Sequence, residues 1–150
     1  MIDIPKPEIN EIKLPVIGTN TLIMNRWSEK AKEEMLRKQQ KKASIGKKKK
    51  DPVALYKSSI YHLPGSNEKK YCFPAVAFKS SAVRAAKQCD IPMTDARVFF
   101  HVNGVDHRDW VEIIGEPEMR EDVVRLQGKT ADLRYRAGFE NWSAVLKIIY

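Results

Sequence analysis

The chain comes nearest to acid–base chemistry at His101, Asp106, His107 and Asp109. A phosphoesterase needs a carboxylate and an imidazole within reach of one bond, with a divalent metal to polarise the phosphate. Asp106-His107-Arg108-Asp109, however, follows the turn pair Asn103-Gly104, and residues of this kind also furnish ordinary solvated loops. A metal centre would draw on His62, Cys72, Cys89, His101 and His107, yet no two of these have C-x2-C or H-x3-H spacing. Gly-rich phosphate loop, nucleophile elbow and HExxH are all missing from the sequence. The residues therefore predict neither an enzyme nor a cofactor or small-molecule substrate.

The stronger chemistry is electrostatic. Residues 35–50, MLRKQQKKASIGKKKK, hold Arg37, Lys38, Lys41, Lys42, Lys47, Lys48, Lys49 and Lys50 and no acid. The chain has 27 basic and 19 acidic residues, net +8, and removing these eight leaves 19 against 19. The surplus belongs to one arm on an otherwise balanced body. Such a block repels itself and stays solvated unless a polyanion neutralises it. Nucleic acid is the commonest polyanion, since each neutralised phosphate releases condensed counterions. A solubilising loop, an acidic protein or a lipid surface are the competing readings.

A second basic group follows later. Arg134 and Arg136 alternate with Leu133 and Tyr135, and Arg120, Arg125 and Lys129 precede them. Arginines beside aromatic rings suit a single strand, whose bases stack while its phosphates take the charge. Pairing of Arg134 and Arg136 with Glu116, Glu118, Glu121 and Asp122 is the competing expectation.

The elements that must position these residues read as α+β. Ile12, Leu14 and Val16 alternate with Lys13 and Pro15 in a first strand. Ser28 caps a helix through EKAKEEMLRKQQKK whose thin apolar stripe, Trp27, Ala31 and Met35, leaves it exposed. The basic helix and loop at 28–50 thus form a protruding arm. Asp51-Pro52 opens a short helix. Residues 59–73 read as a hairpin around Pro64-Gly65-Ser66-Asn67. A helix from Pro74 turns Phe78, Ala82, Ala85, Ala86 and Cys89 to the core, with Lys79 and Arg84 on other faces, and stops at Pro92. Strands are expected over Arg97–Val102, Val111–Ile114, Leu133–Arg136 and from Trp142 onward, with 118–132 a polar loop tipped by Gly128. Together these predict one domain over 1–150. Its core would be a ferredoxin-like antiparallel sheet with helices on one face and an added C-terminal hairpin.

Two cysteines make no disulfide scaffold, no apolar run nears the ~20 residues needed to cross a bilayer, and MIDIPKPEINEI is no signal peptide. A cytoplasmic protein away from membranes is expected.

Phe73-Pro74-Ala75-Val76-Ala77-Phe78-Lys79, with the small-residue helix to Arg84, resembles the IPxSSLKGxLR segment of the RAMP superfamily, the RRM-like backbone subunits of CRISPR effector complexes. Gly18-Thr19-Asn20-Thr21-Leu22 resembles that superfamily's G-x-x-P-L exit from its first strand. Ser80 stands where Gly is usual, Asn20-Thr21 replaces the Pro, and the C-terminal Gly-rich loop is missing. The whole chain is similar to small proteins of tailed bacteriophages. The resemblance implies an RRM-like core that polymerises along single-stranded nucleic acid, and nothing about catalysis. The expectation is a sequence-tolerant binder of single-stranded DNA or RNA that forms a homo-oligomer or filament, in phage replication and recombination or in an RNA-guided complex. The candidate contacts are the eight arm residues with Lys79, Arg84, Arg120, Arg125, Lys129, Arg134, Tyr135 and Arg136. A structural protein of a virion or effector assembly, docking the arm on an acidic partner, is the alternative.

Overall fold

A computed structural model describes residues 8–43, 49–67, 70–105, 109–125 and 131–150. The fold is α+β, with antiparallel strands throughout. It divides into two compact units, Met1–Ile17 with Leu63–Ile114 and Ser143–Tyr150, and Gly18–His62 with Gly115–Trp142. No helix among the described residues is long and apolar enough to cross a membrane.

In the first unit, β1 (Glu11–Ile17) pairs along its whole length with β8 (Ser143–Ile149). The other edge of β8 takes β4 (His101–Asn103). β3 (Tyr71–Pro74) pairs with β5 (Trp110–Ile113). Between them run α3 (Ala75–Ala85), a 3-10 turn over Ala86–Cys89, and α4 (Met93–Phe99). Cys72, Val111, Ile113, Ala144 and Leu146 are buried, whereas Cys89 is exposed. Ala144, Leu146 and Ile148 share one face of β8, as their alternation predicts.

In the second unit, β7 (Ala131–Phe139) lies between β2 (Leu22–Met24) and β6 (Glu118–Arg125). α2 (Pro52–Ser59) packs on β7. Asp51 caps α2 through Oδ1, which accepts from the Val53 and Ala54 amides at 3.0 and 3.1 Å. Met24, Ile60, Ala137 and Phe139 are buried. Burying these apolar side chains is the main source of stability for the unit.

Several expectations are corrected. The strands of the described residues form three sheets, β1-β8-β4, β2-β7-β6 and β3-β5, not one ferredoxin-like sheet. The last two strands do not pair with each other, and the hairpin lies one strand earlier, between β6 and β7. Half of the expected strand at Arg97–Val102, residues 97–99, belongs to α4, because Pro92 caps a new helix, while His101 and Val102 lie in β4. Residues 118–125 are a strand, not a loop, while Gly128 lies outside the described residues. β3 pairs with β5, and in the 59–73 segment the Leu63 N–H donates to the Lys70 carbonyl at 2.9 Å, as in a hairpin. On α3 the buried residues are Ala75 and Val83, with Ala82 and Ala85 exposed, and Cys89 in the 3-10 turn is exposed too.

Candidate functional site

The arm begins where β2 ends. Arg26 N–H donates to the Ser59 carbonyl at 3.0 Å, turning the chain off the sheet edge. The Ser28 hydroxyl then accepts from the Ala31 amide at 3.2 Å and caps α1 (Glu29–Gln39). Glu29 sits in the first turn, where the helix dipole favours an acid. Lys32 bonds its carboxylate at 2.8 Å, and this contact chiefly, with Arg26 nearby, holds the carboxyl below its ordinary range. α1 buries no residue. It presents Lys38 and Arg37, the latter paired to Glu33 at 3.2 Å, in its last turn, with Lys41 and Lys42 exposed just beyond. Lys47 and Lys48 lie outside the described residues, and Lys49 is exposed.

Lys50 returns the arm to the second unit. Its ammonium donates to the Leu133 carbonyl at 3.0 Å and to the Asp132 carboxylate. That bond is the main reason the Asp132 carboxyl is held low, with Arg134 adding to the effect. Arg134 Nε bonds Asp132 at 2.9 Å, Arg120 Nε bonds Asp122 at 2.6 Å, and Arg136 stands 3.9 Å from the same Asp122.

β6 and β7 align Arg120 with Arg136 and Asp122 with Arg134, so all four side chains share one sheet face. Asp132 falls on that face by alternation. The expected partner Asp122 is found, and Asp132 joins it. Two carboxylates against three arginines and Lys50 leave this ladder two charges positive. Tyr135 is on the opposite face, directly across from Glu121, and its hydroxyl donates to the Glu121 carboxylate, which raises the phenol's pKa. Its ring is therefore not beside the arginines.

At the strand edge Tyr135 still joins them in lining a cavity, and so does Trp27. Trp27 is 56% exposed and lines this cavity of about 260 Å³ together with Arg26, Lys50, Arg134 and Arg136. The sequence reading placed Trp27 in the apolar stripe of α1 and passed over Arg26 and Asp132. The Arg26-Trp27 pair just ahead of a capping serine was the available signal. The remaining candidates are dispersed. Arg125 ends β6, exposed. Lys79 and Arg84 lie on α3 in the first unit, where Lys79 Nζ is 3.4 Å from His101 Nδ1. Lys129, Asp106 and His107 lie outside the described residues. Among the described residues no group of three or more His, Cys, Asp or Glu is placed to hold a metal.

Chemically, this constellation can attract and hold an anion. No protein-family model, curated protein or solved structure matches the chain.

Proposed function

We propose that the protein binds nucleic acid without regard to sequence and without chemistry, with a single strand of DNA or RNA as the favoured ligand. One observation carries this reading: the whole net charge resides in an arm whose returning end, Lys50, is fastened beside Arg134 and Arg136. The arm would steer encounter and neutralise phosphates, since clustered cations raise association rates. The Arg120, Arg134 and Arg136 ladder would then hold the backbone. Arg120 and Arg134 keep their side chains partly exposed, so phosphate oxygens can compete with Asp122 and Asp132 for their guanidinium groups.

Assembly along the strand belongs to the same reading. It is supported by Ile12, Leu14 and Ile17 on the edge strand β1, which remain exposed although apolar. A protein of this kind would serve phage replication or recombination, or an RNA-guided complex, in the host cytoplasm.

Titration of labelled single- and double-stranded DNA and RNA at two salt concentrations tests it. Binding to single strands that weakens steeply with salt is expected. Indifference to all four at low ionic strength sinks the reading and leaves the docking of an acidic protein partner.

A further inference from the structure

We infer that the cavity lined by Trp27 takes one nucleotide of the bound strand, with its base against the indole and its phosphate on the cationic rim. The inference rests on the nucleic-acid reading above and adds a site to it. Three features point to this occupant.

The first is an open strand edge. β2 pairs with β7 only from Ala137 to Phe139, so among the described residues no strand covers that edge from Ala131 to Arg136. Ser59 Oγ accepts from the Ala137 amide at 2.9 Å, and Lys50 donates to the Leu133 carbonyl. Backbone groups of alternate residues point to the same edge. The Tyr135 N–H and C=O, midway between these two, therefore face the same gap. A donor and an acceptor side by side on a rigid strand match the edge of a nucleobase, which single-strand binders read by hydrogen bonds.

The second is charge. Four lining residues, Arg26, Lys50, Arg134 and Arg136, are cationic and none is acidic. Glu29, Asp122 and Asp132, none of which lines the cavity, pair with these cations and offset part of their charge, leaving the lining cationic. The third is shape. The cavity, about 260 Å³, is roomy enough to admit a flat ring beside the strand. Trp27, half exposed at the rim, offers a stacking face at little ordering cost.

The test uses the full chain and an oligothymidylate or oligouridylate carrying a single 5-iodouracil. Irradiation should crosslink the base to Trp27. Trp27→Ala should weaken binding about five- to a hundredfold, the range of a lost stack. Trp27→Phe should restore most of the affinity. The dependence on salt should stay unchanged in both variants, because stacking releases no counterions. Thymidine or uridine monophosphate should bind far more weakly than the oligonucleotide. A crosslink confined to other residues, or unaltered affinity in Trp27→Ala, overturns the pocket while strand binding stands. Mononucleotide binding as tight as that of the strand assigns the cavity to a free nucleotide and also overturns it. Failure of any oligonucleotide to bind at low salt removes both the pocket and the function.

Discussion

Lys50 donates to the Leu133 carbonyl and to the Asp132 carboxylate, so the returning end of the basic arm is fastened to the strand that bears Arg134 and Arg136. A lysine at the end of a four-lysine run would otherwise be expected to project into solvent. Here it ties the charged segment to the sheet.

This tie has a pH signature. Hydrogen bonding from Lys50 holds the Asp132 carboxyl low in the folded state, so the tie contributes fully above the unfolded value of about 3.9. The contribution fades as pH falls through the depressed folded value. Denaturant midpoints of the natural protein and Asp132→Asn should therefore differ equally at pH 7 and pH 5, then converge below about pH 4. A difference that already disappears between pH 7 and 5 would assign the effect to another group.

The arm's share of binding can be read from salt dependence. Replacing Lys47, Lys48 and Lys49 with Ala spares the Lys50 tie and removes three cations. At about −0.7 per phosphate contact on single strands, the slope of log K against log salt should flatten by roughly 2. An unchanged slope takes these lysines out of the interface.

Gly18 is a packing requirement. A β-carbon there would come within 2.0 Å of the Trp142 indole nitrogen, which donates to the Asn20 carbonyl at 2.9 Å. Gly18→Ala must displace the ring and break that bond, costing about 1–3 kcal/mol. The urea midpoint should fall and tryptophan emission should shift to the red. An unshifted spectrum with full stability contradicts the account.

Asp51 holds the start of α2 against β7. Asp51→Ala removes the acceptor for two amides and should cost about 1 kcal/mol, within the 0.5–2 range of lost N-caps. Because Leu55 and Ser59 of α2 line the cavity, oligonucleotide affinity should fall too. Asp51→Asn, which keeps an acceptor, should recover most of both.

What was legible in the sequence was local. Ser28 and Asp51-Pro52 declare helix starts through side chains that bond amides two or three residues on, so they were read correctly. Arg97–Val102 was half legible, with His101 and Val102 in β4 but 97–99 in α4, because six residues cannot separate period 2 from a single helical turn. Val98 and Phe99 are 75% and 63% exposed, so burial imposes no pattern there either. β6 was missed for a different reason. Its Arg120 pairs with Asp122 on the same strand and Asp122 also meets Arg136 of β7, and a charged strand whose partner is distant in sequence looks like a loop. The ladder was half visible: Arg134 and Arg136 were found with Asp122, but Lys50 meets Asp132 across 82 positions, and no local rule reports that meeting. Three sheets in place of one likewise depend on long-range register that alternation does not encode.

The arm leaves the sheet edge at Arg26 and rejoins it at Lys50. A proteolytic nick between Lys41 and Lys49 would sever the chain without releasing either piece. The upstream fragment supplies β1 to β8 and β2 to β7, an outer strand for each three-stranded sheet. The cleaved molecule should migrate intact on a sizing column and fall apart only in denaturant, and the same cut point is a natural place to divide the gene for complementation.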